Sequence, residues 1–370
     1  MTLPRSAEVL VVGGGVTGVS AAYHLARSGA TDVVLVERET LGAGSTSRSA
    51  GGIRTQFSDE LNVSIGIECV RRFERFHDET GVDIGFRQWG YLFLVSTEDD
   101  LRAFRRSVEL QQRLGVPSVL LTPDEALQHV PQLHVADLTG ATYCRLDGHA
   151  TPEAVVQGYA QRATQLGVTL VQGCAAERIG TRHGRVISVD TSAGRIDTPT
   201  VICAAGVWSR ELAATAGVDL PVTPERRYVF VTEPGDPLPP EIPLTVDFST
   251  GFYVHREGSA LLLGGRETTI EALAPAAVHR LPAMADLRVG ASWHGYYEMS
   301  PDHNAIVGRT RDPDGLIYAT GFPGHGFQQC PVVGEHLAEL ALGLVPSFDL
   351  SPFSVERFAR SAARPEHNVI

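Results

Sequence analysis

The chain opens with two kinds of hydrophobic patterning in quick succession. Residues 8–12, EVLVV, and 32–37, DVVLVE, are short continuous apolar runs, as strands buried on both faces of a parallel sheet require. Between them VTGVSAAYHLARSG carries apolar residues at helical spacing and stops at Gly29, so the three segments predict one βαβ unit. Farther on, DELNVSIGIECVRRFERFHDETG sets Leu61, Ile65, Cys69, Phe73 and Phe76 on one helical face, with Ser58 or Asp59 as N-cap. QWGYLFLVS (88–96) then predicts a strand, TEDDLRAFRRSVELQQRLG a helix, and TPDE (122–125) a capping box opening a short helix.

From residue 151 the first pattern returns. TPEAVVQGYAQRATQLG predicts a helix, GVTLVQG a strand, RVISVDTSAGRI two strands turning at Ala193-Gly194, and PTVICAAG (199–206) another buried strand. Residues 221–299 read differently: RRYVFVTE, LTVDF, GFYVHR and ALLLGG are short alternating strands of an antiparallel sheet, with EPGDPLPPEIP (233–243) as a loop. GLIYATG followed by QQCPVVGEHLAELALG restores strand and helix. The pattern predicts an α/β fold of two interleaved domains. Residues 1–86, 145–220 and 300–370 would form a Rossmann-like nucleotide-binding domain, and 87–144 and 221–299 a mostly antiparallel substrate domain.

With 370 residues, 43% of them hydrophobic, the chain can bury a core of that size. A net charge of −12 argues against a nucleic-acid partner, which needs a cationic face. Every basic side chain is arginine, so chemistry that depends on lysine is excluded. The five cysteines are scattered without a CxxC pair, and the thirteen histidines lack metal-ligand spacing, so neither a disulfide framework nor a metal site is expected. No run is long and apolar enough to span a membrane, and MTLPRSAEVL is too short and polar for a signal peptide, so a cytoplasmic protein is expected.

The chemistry begins in VGGGVTG (12–18). Gly13-x-Gly15-x-x-Gly18 directly follows a strand and opens a helix whose N-terminus, at Val16 and Thr17, offers N–H groups to a pyrophosphate. Glu37 ends the second strand, where a carboxylate can accept hydrogen bonds from a ribose, and Arg38 follows it. This fingerprint serves both NAD and FAD. An NAD domain is usually unbroken, whereas here the βαβ unit gives way to a Gly/Ser/Arg stretch, GAGSTSRSAGGIRTQFS (42–58), and then an inserted domain.

Five motifs in order, VVGGGVTG, GAGSTSRSAGGIR, ICAAGVWS (202–209), YYEMSPD (296–302) and GFPGHGFQ (321–328), resemble those of the D-amino-acid oxidase family of FAD-dependent oxidoreductases. The likeness is to its branch of sarcosine oxidases, sarcosine oxidase β-subunits and dye-linked proline dehydrogenases, and it covers nearly the whole chain. It implies FAD as cofactor. Ala175 would meet the adenine through its backbone, and Ala205, Gly206 and Trp208 would line the phosphate side. Gly44, Ser45, Thr46, Arg48, Ser49, Ala50 and Gly51 would line the pyrophosphate and the dimethylbenzene side of the flavin. Gly324, His325, Gly326, Phe327 and Gln328 would wrap its pyrimidine edge, where donors stabilise the reduced ring.

Two departures from the family pattern matter. Gly295 stands near a position that carries a flavin-linking cysteine in part of this branch, which implies a noncovalent flavin. Leu262 stands where oxidases of the branch keep an oxygen-activating lysine, and Arg266 where a histidine lies, which shifts the expected acceptor from O₂ toward another protein or a quinone.

The resemblance implies oxidation of the C–N bond of a secondary or tertiary amino acid by hydride transfer to the flavin. Arg54 would bind the substrate carboxylate, Gln328 replaces the family's second cation, and Tyr253 would supply a pocket hydroxyl. Arg54 could instead pair with a nearby acid, and Tyr253 could be a core residue. Oxidation of a 2-hydroxy acid, or service as a flavin-bearing subunit or assembly factor of a hetero-oligomer, are the alternatives.

Overall fold

The computed structural model describes residues 3–235, 238–360 and 362–368, so positions 236 and 237 of the proline-rich loop lie outside the described residues. Two large sheets organise the chain. The first has six strands, in the order Ile306–Arg309, Leu316–Thr320, Thr200–Cys203, β1 (Val9–Val12), β2 (Val33–Val36) and Thr169–Val171. All its pairings are parallel except that of Ile306–Arg309 with Leu316–Thr320. In β1, Val9 and Val11 enter the core on one face, and Leu10 and Val12 the core on the other. That two-sided burial is why the strand reads VLVV without a polar residue.

The helix α1 (Val16–Arg27) covers one face. The helix Gly326–Ala341 lies against it where Gly334 leaves no room for a side chain: a Cβ there would sit 2.1 Å from Ser20 Oγ. Ser20 in turn donates to the Cys330 carbonyl at 2.8 Å.

The second sheet has eight strands and comes from the other stretches of sequence. Its order is Val289–Met299, Thr223–Thr232, Ala260–Gly264, Tyr253–Glu257, Leu244–Asp247, Tyr91–Val95, Gly140–Cys144 and Val119–Leu121. The sheet is mostly antiparallel as expected, with one parallel joint, where Leu244–Asp247 runs alongside Tyr91–Val95. That joint welds the chain's earlier and later contributions into one sheet. Two further elements lacked a clear pattern. Val289–Met299, VGASWHGYYEM, mixes glycine and polar residues yet forms the longest strand described, and Ile270–Arg280 is a helix despite Pro275.

The helix expected over 59–81 is two helices. Asp59 caps Glu60–Glu74, accepting from Leu61 N at 2.9 Å, and a break at Arg75 leads into Phe76–Thr80. The break lets Phe76 turn its ring edge-on to Tyr159 at 4.9 Å. Thr122 and Glu125 form the expected capping box. Among the described residues no helix is long and apolar enough to cross a membrane.

The short helix around Arg357 is tied down by a buried ion pair. Arg357 donates from Nε and Nη2 to the two carboxylate oxygens of Asp302, each at 2.8 Å, and Nη2 also reaches the Asn304 carbonyl at 3.1 Å. Burial alone would raise the Asp302 pKa, but Arg357 holds it below the usual carboxylate range. Arg357→Met leaves this buried carboxylate without its ion-pair partner. The expected outcome is a loss of about 3–5 kcal/mol in unfolding free energy, measured by chemical denaturation at neutral pH.

Candidate functional site

The carboxyl ends of β1 and β2 open onto a cleft, as the switch point of a parallel sheet does. The turn leaving β1 is set by contact. Gly13 has φ +108°, and a Cβ on it would lie 2.2 Å from the Ala204 carbonyl oxygen; a Cβ on Gly18 would lie 1.9 Å from the Gly13 oxygen. This close approach aims the N-terminus of α1 into the cleft. Gly15 is its N-cap, no side chain caps it in the usual way, and its first turn holds no acid. Thr46 Oγ1 accepts from Val16 N at 3.1 Å from across the cleft. Glu37 is fixed at the end of β2, its two oxygens accepting from Gly14 N at 2.6 Å and Glu39 N at 2.8 Å.

This first cleft encloses about 350 Å³. Gly13, Gly15, Val16, Thr17, Glu37, Arg38, Gly44, Ser45, Thr46, Ala175, Ala205, Gly206 and Trp208 all line it. At its mouth the Arg38 guanidinium lies 4.1 Å from the centre of the Trp208 ring. The cleft continues into a second one of about 150 Å³ beneath the eight-stranded sheet, and Val16, Thr17, Ser45, Thr46, Glu298 and Phe322 belong to both. Arg48, Ser49, Ala50, Arg54, Tyr253, Gly324, His325, Gly326, Phe327 and Gln328 line the second.

The segment 42–58 forms the floor between them and is held from several sides. Ser45 Oγ donates to the Tyr296 carbonyl at 2.9 Å, Arg48 Nη1 to the His294 carbonyl at 3.0 Å, and Arg54 N to Gln328 Oε1 at 2.6 Å. Arg54 is buried. Its guanidinium donates to the Gln56 carbonyl at 2.5 Å and the Asn368 carbonyl at 2.7 Å, and it lies 4.0 Å from the centre of the Phe57 ring. Among the described residues no side-chain carboxylate reaches it as an ion-pair partner. Gln328 Nε2 is buried beside it with no hydrogen-bond partner among the described residues.

Three expected residues sit elsewhere. Arg266 is exposed and lies outside both clefts, its stem against Gly251, so an electrostatic part in oxygen chemistry has no geometric support. Gly51 is a structural hinge, φ +68° with its Cα against the Ala150 carbonyl, and lines neither cleft. Gly18 likewise serves the packing of α1 on its own turn.

The second cleft also contains residues that motif reading passed over: Tyr91, Arg227, Tyr297 and Glu298. The alternation of RRYVFVTE already put Arg227 and Val229 on one strand face, but only the sheet pairing shows that this face roofs the cleft. Burial raises the hydroxyl pKa of Tyr91, Tyr253 and Tyr297, so all three remain protonated donors near neutral pH. Burial, with the Arg54 charge adding to it, lowers the His325 pKa to about 3, leaving a neutral ring.

Outside the clefts, His134, Asp137 and His279 bring three potential metal-ligating atoms within 4.8 Å of one another. Asp137 there already accepts from Arg280 Nη1 at 2.9 Å and Nη2 at 3.0 Å, and lies 3.0 Å from His279 Nε2.

A doubly covered parallel sheet, an open helix N-terminus facing a fixed carboxylate, and a second sheet roofing the continuation of the cleft define a dinucleotide-dependent oxidoreductase. The family model described as DAO, FAD dependent oxidoreductase, matches residues 8–340, and the chain belongs to that family. It is an FAD-dependent enzyme. The chain is 31% identical to the FAD-dependent oxidoreductase domain-containing protein 1 of Xenopus laevis, over 99% of this chain and 85% of the relative. It is 28% identical to the mitochondrial sarcosine dehydrogenase of Mus musculus, over 97% of this chain and 42% of that longer protein. Its fold matches the crystal structure of L-proline dehydrogenase from P. horikoshii with a TM-score of 0.91 at 31% identity, covering 98% of this chain and 100% of the other.

Glu298 is the buried acid shared by the two clefts. It accepts from Thr320 Oγ1 at 2.9 Å and Gly321 N at 2.8 Å, and burial nevertheless raises its pKa to about 6. The folded protein therefore binds this proton more tightly than the unfolded chain. The residue's contribution to stability falls as pH rises from the ordinary glutamate range through 6 and is unfavourable above it. Glu298→Gln is expected to gain about 2 kcal/mol relative to wild type between pH 4 and pH 7, read from denaturation curves of the apoprotein.

Proposed function

We propose that the enzyme oxidises the C–N bond of a secondary or tertiary amino acid, with FAD bound noncovalently along the two clefts. The observation that carries this is Arg54, a guanidinium buried in the second cleft without a carboxylate partner among the described residues. A buried cation left in that state favours an anionic ligand strongly, and a planar guanidinium matches a carboxylate. Gln328 Nε2, with its unused donor, and the protonated hydroxyls of Tyr91, Tyr253 and Tyr297 supply neutral hydrogen bonds around it. The names of the similar sarcosine and proline dehydrogenases point to the same substrate class.

Within this reading, residues 1–86, 145–220 and 300–370 bind the cofactor and the remainder roofs the substrate. Gly15 and Thr17 would hold the pyrophosphate by backbone N–H groups, with Gly13 and Val16 lining it, Glu37 would hold the ribose, and Ala175 the adenine. Ser45, Thr46, Arg48 and the Gly324–Gln328 turn would surround the ring. The residues fit such a group because the cleft is continuous from Glu37 to Gln328 and the α1 N-terminus lies open along it. Bound FAD supplies the hydride acceptor. The carbon beside nitrogen loses hydride, nitrogen loses a proton if it carries one, and water then adds to the C=N bond and releases carbonyl and amine. The chain's task is to orient the carboxylate on Arg54 and to exclude water from the reacting carbon beneath the tyrosine-lined roof.

Gly295, where Arg48 Cβ would lie 3.1 Å from an added methyl, offers no nucleophile to the flavin. Leu262 belongs to an apolar cluster with Tyr91, Val229 and Tyr253, so the position of the oxidases' lysine is hydrophobic here, which favours an acceptor other than O₂.

Acid precipitation of the purified holoenzyme is expected to release all flavin into the supernatant; flavin retained in the pellet would show a covalent bond. Anaerobic addition of sarcosine, dimethylglycine or proline is expected to bleach the oxidised flavin for at least one of them. Bleaching by a 2-hydroxy acid and by no amine would redirect the assignment. Arg54→Lys, which loses the planar fork, is expected to weaken carboxylate binding by about tenfold or more, and an unchanged Kd would remove Arg54 from the substrate site.

A further inference from the structure

The second cleft holds more positive charge than one carboxylate needs. Arg48, Arg54 and Arg227 line it against the single acid Glu298, while His325 is neutral. Arg48 is engaged with the His294 carbonyl behind segment 42–58. Arg227 is different. It lies on the strand Thr223–Thr232, directly opposite Gly295, so the neighbouring strand sets no side chain against it at that position. Its guanidinium leans toward the next partner on that strand, 5.0 Å from the centre of the Tyr297 ring. The side chain is only 16% exposed, and Nε is buried with no hydrogen-bond partner among the described residues. Nη1 is taken by Glu225, which occupies the same strand face at the rim and is 47% exposed. The Tyr297 hydroxyl feels the charges of both Arg227 and Arg54, which line the same cleft.

We propose that Arg227 is a second carboxylate receptor and that the enzyme prefers an amino acid carrying two carboxylates, the second on the side chain or on the nitrogen substituent. This rests on the amino-acid reading of the site. Arg54 takes the carboxylate beside the reacting carbon, and Arg227 takes the distal one, with Nε as the donor still unused. Glu225 then acts as a placeholder at the rim that the distal carboxylate displaces. The loss of the family's second cation at Gln328 is thereby offset from the opposite wall of the cleft.

The test uses the FAD-loaded enzyme and acids without nitrogen, which cannot be oxidised: propionate as the monocarboxylate and glutarate as the dicarboxylate. Binding is read by calorimetry and by perturbation of the flavin spectrum at constant ionic strength. Glutarate is expected to bind about ten- to a hundredfold more tightly than propionate, as one further charge-assisted contact implies. Arg227→Met is expected to erase that ratio, and Glu225→Gln to widen it by removing the competing carboxylate. The opposite signs separate a binding role from general damage, because Glu225 is a rim residue whose loss leaves the fold in place. Equal affinities, no glutarate binding, or a ratio that survives Arg227→Met overturns the proposal. A preserved glutarate preference with no amine oxidation would instead sink the reaction reading and leave Arg227 as a dicarboxylate receptor.

Discussion

The structure depends on one close approach, where the turn after β1, the start of α1 and the end of the strand Thr200–Cys203 meet with no side chain between them. Gly13 abuts Ala204, and Gly18 abuts Gly13. The contact does two things at once. It lets α1 dock on the sheet with both faces of β1 buried, and it leaves the helix N-terminus pointing into open space instead of into protein. An uncapped N-terminus beside a buried sheet costs stability unless something anionic completes it. Fold and cofactor requirement are therefore one geometric fact seen from two sides.

The segment 42–58 turns that arrangement into a site. Its composition suits a mobile linker, yet several of its polar groups are spent on partners far away in sequence. Thr46 reaches the α1 N-terminus, Ser45 and Arg48 reach the strand Val289–Met299, and Arg54 is fixed through its backbone by Gln328 and through its guanidinium by carbonyls at 56 and 368. Small side chains let the segment pass between the two sheets, and long-range hydrogen bonds then order it. A buried arginine held mainly by neutral carbonyls keeps its full charge available to a ligand.

Burial also sorts the charges of the second cleft. Tyrosines are kept protonated and His325 neutral, which leaves Glu298 as the titrating acid that faces the arginines among the residues lining the cleft.

Much of this was legible along the chain because it follows from local periodicity or from motifs with fixed backbone roles. The two-sided burial of β1 and β2, the uncapped α1, the capping box at Thr122, and the FAD-dependent oxidoreductase family itself are of that kind. The break at Arg75, the parallel joint between Leu244–Asp247 and Tyr91–Val95, and the long strand Val289–Met299 were not, because each is stabilised by partners distant in sequence against weak local preference. The same division runs through the site. Residues that offer backbone to a cofactor are tied to glycine positions that sequence displays. Side chains such as Arg227 and Tyr297 enter only when a sheet register turns one face of a strand toward the cleft, whereas Arg266 lies beyond the end of the strand Ala260–Gly264 and outside it. By itself the sequence determined a dinucleotide-binding α/β protein with an arginine after its glycine-rich loop. Which other charges converge on that arginine was decided by strand pairing, since a pairing register depends on contacts that no local pattern encodes.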